Sequence, residues 1–212
     1  MGWTHFNGVD AGQFKINGTE VTSTAAELNT LDGIAAKVGA KNGASVVATE
    51  DITGFKSTLL TCTATPFSFT DETSTVQYSG VKVYDFPLGA ICILGAVVDG
   101  ALTLATPFVD NWEGDVALGT ATATTGATLT TTEADILPSV AIAAATSKVG
   151  TIGAVPVATA LTESGARWLD GTGTAKDMYL NFKVDDNVAH TGTLAGTFTG
   201  TVAFHWIYLG DH

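Results

Sequence analysis

Two runs, residues 91–98 (ICILGAVV) and 202–209 (VAFHWIYL), are apolar on both faces of an extended chain, and no other feature constrains the fold as strongly. In the second, Val202, Phe204, Trp206 and Tyr208 alternate with Ala203, His205, Ile207 and Leu209. Side chains along a strand point to opposite faces in turn. A strand apolar on both is therefore either central in a packed sandwich or covered on one side by another subunit. The longest apolar stretch, residues 89–98, is about half of what a membrane-crossing helix needs.

The sequence around these runs also reads as strands. Residues 81–86 are β-prone, and 179–184 alternate, with Leu180, Phe182 and Val184 on a dry face and Tyr179, Asn181 and Lys183 on a wet one. Asp99-Gly100, Glu113-Gly114, Asp170-Gly171 and Gly192 fall at turn spacing for antiparallel strands. The Thr/Ala/Gly run at 120–132 favours extended backbone but supplies few large core side chains, and is expected as a wide loop or an exposed edge. The pattern predicts an all-β chain: an antiparallel β-sandwich, jelly-roll-like or of a related Greek-key type, over residues 58–212.

Residues 1–57 have a different character and predict an N-terminal arm with a short helix and a connector. In 16–34 (INGTEVTSTAAELNTLDGI), Ser23 or Thr24 can cap a helix, and Glu27 follows Thr24 at capping-box spacing. Leu28 and Leu31 share one face, and Asp32-Gly33 ends the helix. About two turns are too few to hold in water alone, so packing on the body or on a partner must order this segment. Residues 35–56 read as the connector, with a second short helix expected near 50–60.

Charge and chemistry narrow the function. Nine basic against 21 acidic residues give a formal charge of −12, which repels phosphate backbones and anionic lipid, so neither a nucleic-acid nor a membrane partner is expected. Cys62 and Cys92 have no basic neighbour to activate them and too few companions for zinc; buried free thiols are the leading reading and a single disulfide the lesser one. His205 sits in an apolar strand and reads as structural. Residues 110–115, from Asp110 to Asp115, gather carboxylates without a calcium-loop spacing and read as a solvated acidic loop, so no metal is expected. Trp112, Trp168, Trp206 and Tyr179 fit a core or a subunit interface better than a sugar platform, with Trp206 the most buried. No nucleophile elbow, nucleotide fingerprint or carboxylate pair stands out, so no cofactor and no catalytic residue is assigned.

The arm resembles the leader segments that recur in structural proteins of tailed bacteriophages, and residues 119–138 and 176–211 resemble strands of small β-sandwich proteins of phage capsids. The resemblance implies a capsid decoration, or cement, protein: a non-enzymatic homotrimer on the outer surface of the virion, assembled in the bacterial host cytoplasm, whose arm grips the major capsid protein. Phe14, Ile16, Val21, Leu28, Leu31 and Ile34 are then the expected capsid-binding side chains. Phe204, Trp206 and Tyr208 are the expected oligomer interface. A tail or head fibre or baseplate component that binds a host receptor is the alternative.

Overall fold

The computed structural model describes residues 15–16, 19–20, 39–43, 45–52, 55–73, 75–105, 112–124, 129–142, 149–156, 168–185 and 192–210. In chain order the strands are β1 (Lys15–Ile16), β2 (Thr19–Glu20), β3 (Ala40–Lys41), β4 (Val46–Ile52), β5 (Phe55–Thr73), β6 (Val76–Asp85), β7 (Gly89–Leu104), β8 (Glu113–Gly119), β9 (Leu137–Ile142), β10 (Val149–Pro156), β11 (Trp168–Gly171), β12 (Asp177–Asp185) and β13 (Thr193–Gly210), with a 3₁₀ turn at Thr131–Glu133.

The chain divides into two compact units, Met1–Ala36 and Lys37–His212. In the first, β1 and β2 pair antiparallel, with Lys15 opposite Glu20 and Ile16 opposite Thr19. The expected helix lies outside the described residues, as do Phe14, Val21, Leu28, Leu31 and Ile34. Ile16 falls in β1.

The expected boundary at 57/58 is corrected to 36/37. The supposed connector is part of the second unit, because β3 pairs with β6 and β4 pairs with β5 along its whole length. Among the described residues no helix forms near 50–60, where β4 and β5 run instead. Val46 stands opposite Cys62 and Ala48 opposite Leu60, so the period here is that of a strand, and Val46, Leu60 and Cys62 are all buried.

The second unit is an antiparallel all-β sandwich made from one rolled sheet, with strand order β10-β7-β13-β5-β6-β12-β8-β9 and with β11 on β7, β4 on β5 and β3 on β6. The long strands β5 and β6 pair only near their shared turn, Thr70–Thr73 against Val76–Tyr78. Beyond that corner they separate into two leaves, one built on β5, β13 and β7, the other on β6, β12 and β8. Aromatic rings bridge the leaves. Phe67 meets Phe182 edge-on at 4.9 Å, and Tyr84 meets Phe204 at 5.0 Å. Phe86 lies 5.4 Å from Trp206. Edge-to-face pairs of this kind add about 0.5–1.5 kcal/mol beyond the area they bury.

Two positions inside the long strands take positive φ. Ala64 takes φ 49° where the β13–β5 register slips, and its N–H donates to Thr199 Oγ1 at 3.0 Å. At Gly100, φ is 154°, and this residue faces Gly200; a Cβ on Gly200 would stand 2.2 Å from the Asp99 carbonyl oxygen. Where the ends of the rolled sheet approach, Trp112 lies against Gly150 of β10, with Ile142 of β9 alongside. Trp112 is fully buried.

Candidate functional site

β13 is flanked by β5 and β7, so its two faces meet different surroundings. Phe204 and Trp206 point into the sandwich and are fully buried, and the Trp206 indole N–H donates to Thr58 Oγ1 at 3.0 Å. Tyr208 packs half-buried against the same core, its hydroxyl donating to the Leu88 carbonyl at 3.1 Å. The expectation of a subunit interface is corrected for Phe204 and Trp206, which the chain's own opposite leaf already covers. His205, which reads from the sequence as a structural histidine, is on the other face and is exposed.

That other face is the most distinctive surface of the body. Across it run two apolar rows set by the strand register. Leu59, Ala203 and Val97 form one, and Phe55, Ile207, Cys92 and Trp168 form the other. Between them lie Ser57, His205 and Gly95, with Leu94 displaced outward at the β7 bulge. Phe55 is 68% exposed, Val47 58%, Trp168 57%, Leu59 41% and Leu94 37%. Soluble chains scatter such residues singly; a contiguous group marks a contact surface.

Charge is sparse among the described side chains of this face, although Asp51 takes the register position opposite Ser57. Among its described side chains His205 alone is ionisable apart from the Cys92 thiol, on a chain of net charge −12. Carboxylates begin at the rim, with Asp99 opposite Thr201 and Asp170 two residues beyond Trp168, while Asp51 takes a register position on the edge strand β4. Thr172 donates from its amide and hydroxyl to Asp170 Oδ1 at 3.0 and 2.7 Å, and these bonds hold that carboxyl below its usual value. An apolar centre inside a polar rim is the anatomy of a protein–protein contact.

Chemistry of other kinds has less to stand on. Cys62 and Cys92 are both free: Cys62 faces the core, where burial pushes its thiol up, and Cys92 faces outward. Asp110 and Asn111 lie outside the described residues, and residues 113–115 are strand and not loop. Trp112 is core, Glu113 begins β8, and Asp115 lies 3.8 Å from Lys183. Among the described residues no group of three or more His, Cys, Asp or Glu side chains converges as metal ligands, and no helix is long and apolar enough to cross a membrane.

Two buried polar side chains, Lys56 and Asn181, escaped sequence reasoning. The Lys56 ammonium is buried with no hydrogen-bond partner, 5.5 Å from the Trp206 ring centre. Asn181, expected on a wet face, is fully buried beneath residues 120–124 and 129–133 of the Thr-rich segment, which lie against the outside of the β8–β12 leaf. Its amide nitrogen donates to the carbonyls of Ala121 at 2.9 Å and Glu133 at 2.8 Å, and its oxygen accepts from the Ala123 N–H at 2.9 Å. Further bonds tie these residues, among them the Thr124 N–H donating to Glu133 Oε1 at 2.8 Å and the Thr120 hydroxyl donating to Asp135 Oδ2 at 2.6 Å.

Comparisons with protein-family models, with curated proteins and with solved structures give no match to this chain. The class defined by its own architecture is an antiparallel β-sandwich with an N-terminal unit and an apolar outer face.

Proposed function

We propose that this protein is a non-enzymatic structural component of a tailed-bacteriophage virion: a capsid decoration protein that binds the major capsid protein through its N-terminal arm and stabilises the shell as a homotrimer. The observation that carries the reading is the division of labour in the chain. A short N-terminal unit, whose sequence resembles virion leaders, precedes a sandwich that completes its own core and still presents an apolar outer face. Its action is mechanical. Each arm adds contact area between subunits, and three arms on one trimer raise one another's effective concentration, so a modest contact per arm gives firm retention. The acidic surface suits the outside of the shell and repels packaged DNA.

The test is co-sedimentation with capsids that lack the protein. The full chain is expected to pellet with them, and a chain beginning at Lys37 is expected to stay in solution while keeping its fold. Undiminished binding by the shortened chain refutes attachment through the arm.

One observation favours the fibre or baseplate alternative: Trp168 and Phe55 are exposed aromatics of the sort that stack on sugars. On that reading the purified protein binds host cells or surface polysaccharide and blocks infection, and exchanging Trp168 for Ser abolishes both.

A further inference from the structure

Asn-Gly occurs at 7–8, 17–18 and 42–43, and nowhere later in the chain. The third pair stands where the sandwich begins, shortly after the first unit ends at Ala36. There the chain is held as the short edge strand β3. Ala40 and Lys41 pair with Asp85 and Tyr84 of β6, the Gly39 N–H donates to the Tyr84 hydroxyl at 3.1 Å, and the Asn42 N–H donates to the Val83 carbonyl at 3.0 Å. The Asn42 side chain adds one bond, its amide nitrogen donating to Asp85 Oδ2 at 3.3 Å. Gly43 then turns the chain at φ 90°, is exposed, and its N–H has no acceptor among the described residues. From Val46 onward the chain is paired with β5.

The bond to Asp85 enters a charged group. Asp85 and Asp177 face each other across the β6–β12 ladder, Lys82 reaches them at 2.7 and 3.5 Å, and the Tyr179 hydroxyl donates to Asp177 at 3.3 Å. Burial raises the Asp85 carboxyl, but the bonds from Lys82, Asp177 and Asn42 outweigh it and hold it below its usual value. Burial and the bond to Asp85 push Asp177 up. Asp85 is therefore the member that carries the negative charge, and Asn42 serves it as a neutral donor.

We infer that Asn42 is a site of spontaneous deamidation, and that the reaction releases β3 from the sandwich. Asparagine is among the thermolabile residues. The Gly43 amide nitrogen attacks Asn42 Cγ, the bond from Cγ to the side-chain nitrogen breaks, and ammonia leaves with the Gly43 proton, closing a five-membered succinimide. Water then adds to either ring carbonyl and opens it, giving aspartate or isoaspartate with no oxidant or reductant. Glycine favours the ring because no Cβ obstructs the approach. Either product sets a carboxylate beside Asp85 where a donor stood, with Lys82 already shared by two carboxylates. One hydrogen bond becomes a repulsion. Residues 39–43 then join the segment between the two units and extend its reach by about 15 Å. The inference does not depend on the capsid role, since it stands or falls on the purified chain.

The test is to age the full chain in mildly alkaline buffer, where the attacking nitrogen is deprotonated more often, and to digest it for mass spectrometry. Asn42 is expected to gain the mass of –NH₂ exchanged for –OH, as aspartate and isoaspartate together, while Asn29 and Asn181, followed by Thr30 and Phe182, keep their amides. Hydrogen exchange of the amides at positions 39 and 42 is expected to rise about ten-fold in the aged protein, the effect of one lost hydrogen bond on a local opening. Fresh Asn42→Asp protein should show the same rise. Asn42→Gln, which keeps a donor but closes a larger ring far more slowly, should neither deamidate nor open on ageing. Exchange in β5 and β13 should be unchanged throughout. An Asn42 that keeps its amide as long as Asn181 does, Asn42→Asp protein with parental exchange at 39 and 42, or a loss that spreads into β5 overturns the inference.

Discussion

Replacing Asn181 by Ala isolates what holds the long Thr-rich loop to the sandwich. The side chain makes three hydrogen bonds, to the backbone of Ala121, Ala123 and Glu133, and is itself fully buried. A neutral hydrogen bond contributes about 1 kcal/mol net, and a buried group left without a partner costs about 1–3 kcal/mol. Ala121 is half-buried, so water relieves its carbonyl, while Ala123 and Glu133 are buried and stay dry. The expected loss is about 3–4 kcal/mol, which for a chain of this size lowers Tm by roughly 10 °C. Calorimetry measures the global loss, and amide exchange at Ala123 measures whether the loop opens. Asn181→Asp sharpens the test. The introduced carboxyl still accepts from the Ala123 N–H, but at neutral pH it turns a negative oxygen toward two carbonyls that formerly accepted from an amide. Its folded pKa is therefore raised above the unfolded one, so its protonated, donating form is favoured by folding. Stability of that variant is highest below the unfolded value and falls as pH rises through the folded one. A loss under about 1 kcal/mol in the Ala variant, with Ala123 exchange unchanged, would refute the role given to this network.

Other outcomes follow from single features. Lys56→Met should raise stability by about 1–3 kcal/mol in denaturant titration, since a buried ammonium without a partner costs more than its cation–π contact with Trp206 returns; a clear loss would mean the charge is used. Asp135 is pushed up by burial, against the bonds from Thr120, so its contribution is fully present below the ordinary value of 3.8 and is lost as pH rises through the raised one. Asp135→Asn should therefore gain stability relative to the parent as pH climbs through that window and keep a constant advantage above it; a pH-independent difference contradicts this. Leu28→Asp with Leu31→Asp should weaken capsid attachment while leaving the melting of the sandwich within about 1 kcal/mol of the parent, and a large drop would place these leucines in the body's own core.

The sandwich was legible where period and side-chain size agree. Leu180, Phe182 and Val184 are all buried as their alternation predicts, and both doubly apolar runs became long strands in the middle of one leaf. The segment from Val46 to Leu60 was hidden for a physical reason. Its inward positions include Lys56 and Thr58, both fully buried, so the chain looks polar where it is dry, and the outward Phe55 and Leu59 look like core. Asn181 misled for a related reason: a polar residue on the outer side of a strand is wet only if no loop covers it, and no local pattern reports a loop folding back from residues 120–135. The candidate contact surface lay on the strand that sequence reasoning chose but on its other side. When both faces of a strand are apolar, size decides. Phe204 and Trp206 fill the interior, while the smaller Ala203 and the ionisable His205 mark the outside.

Cryo-electron microscopy of virions that carry this protein addresses its attachment most directly. Threefold clusters of the sandwich on the outer shell, each with residues 14–34 running onto a neighbouring capsid subunit, are the expected picture. Density for the sandwich at the tail or fibres, or an N-terminal segment packed only against its own body, would contradict it.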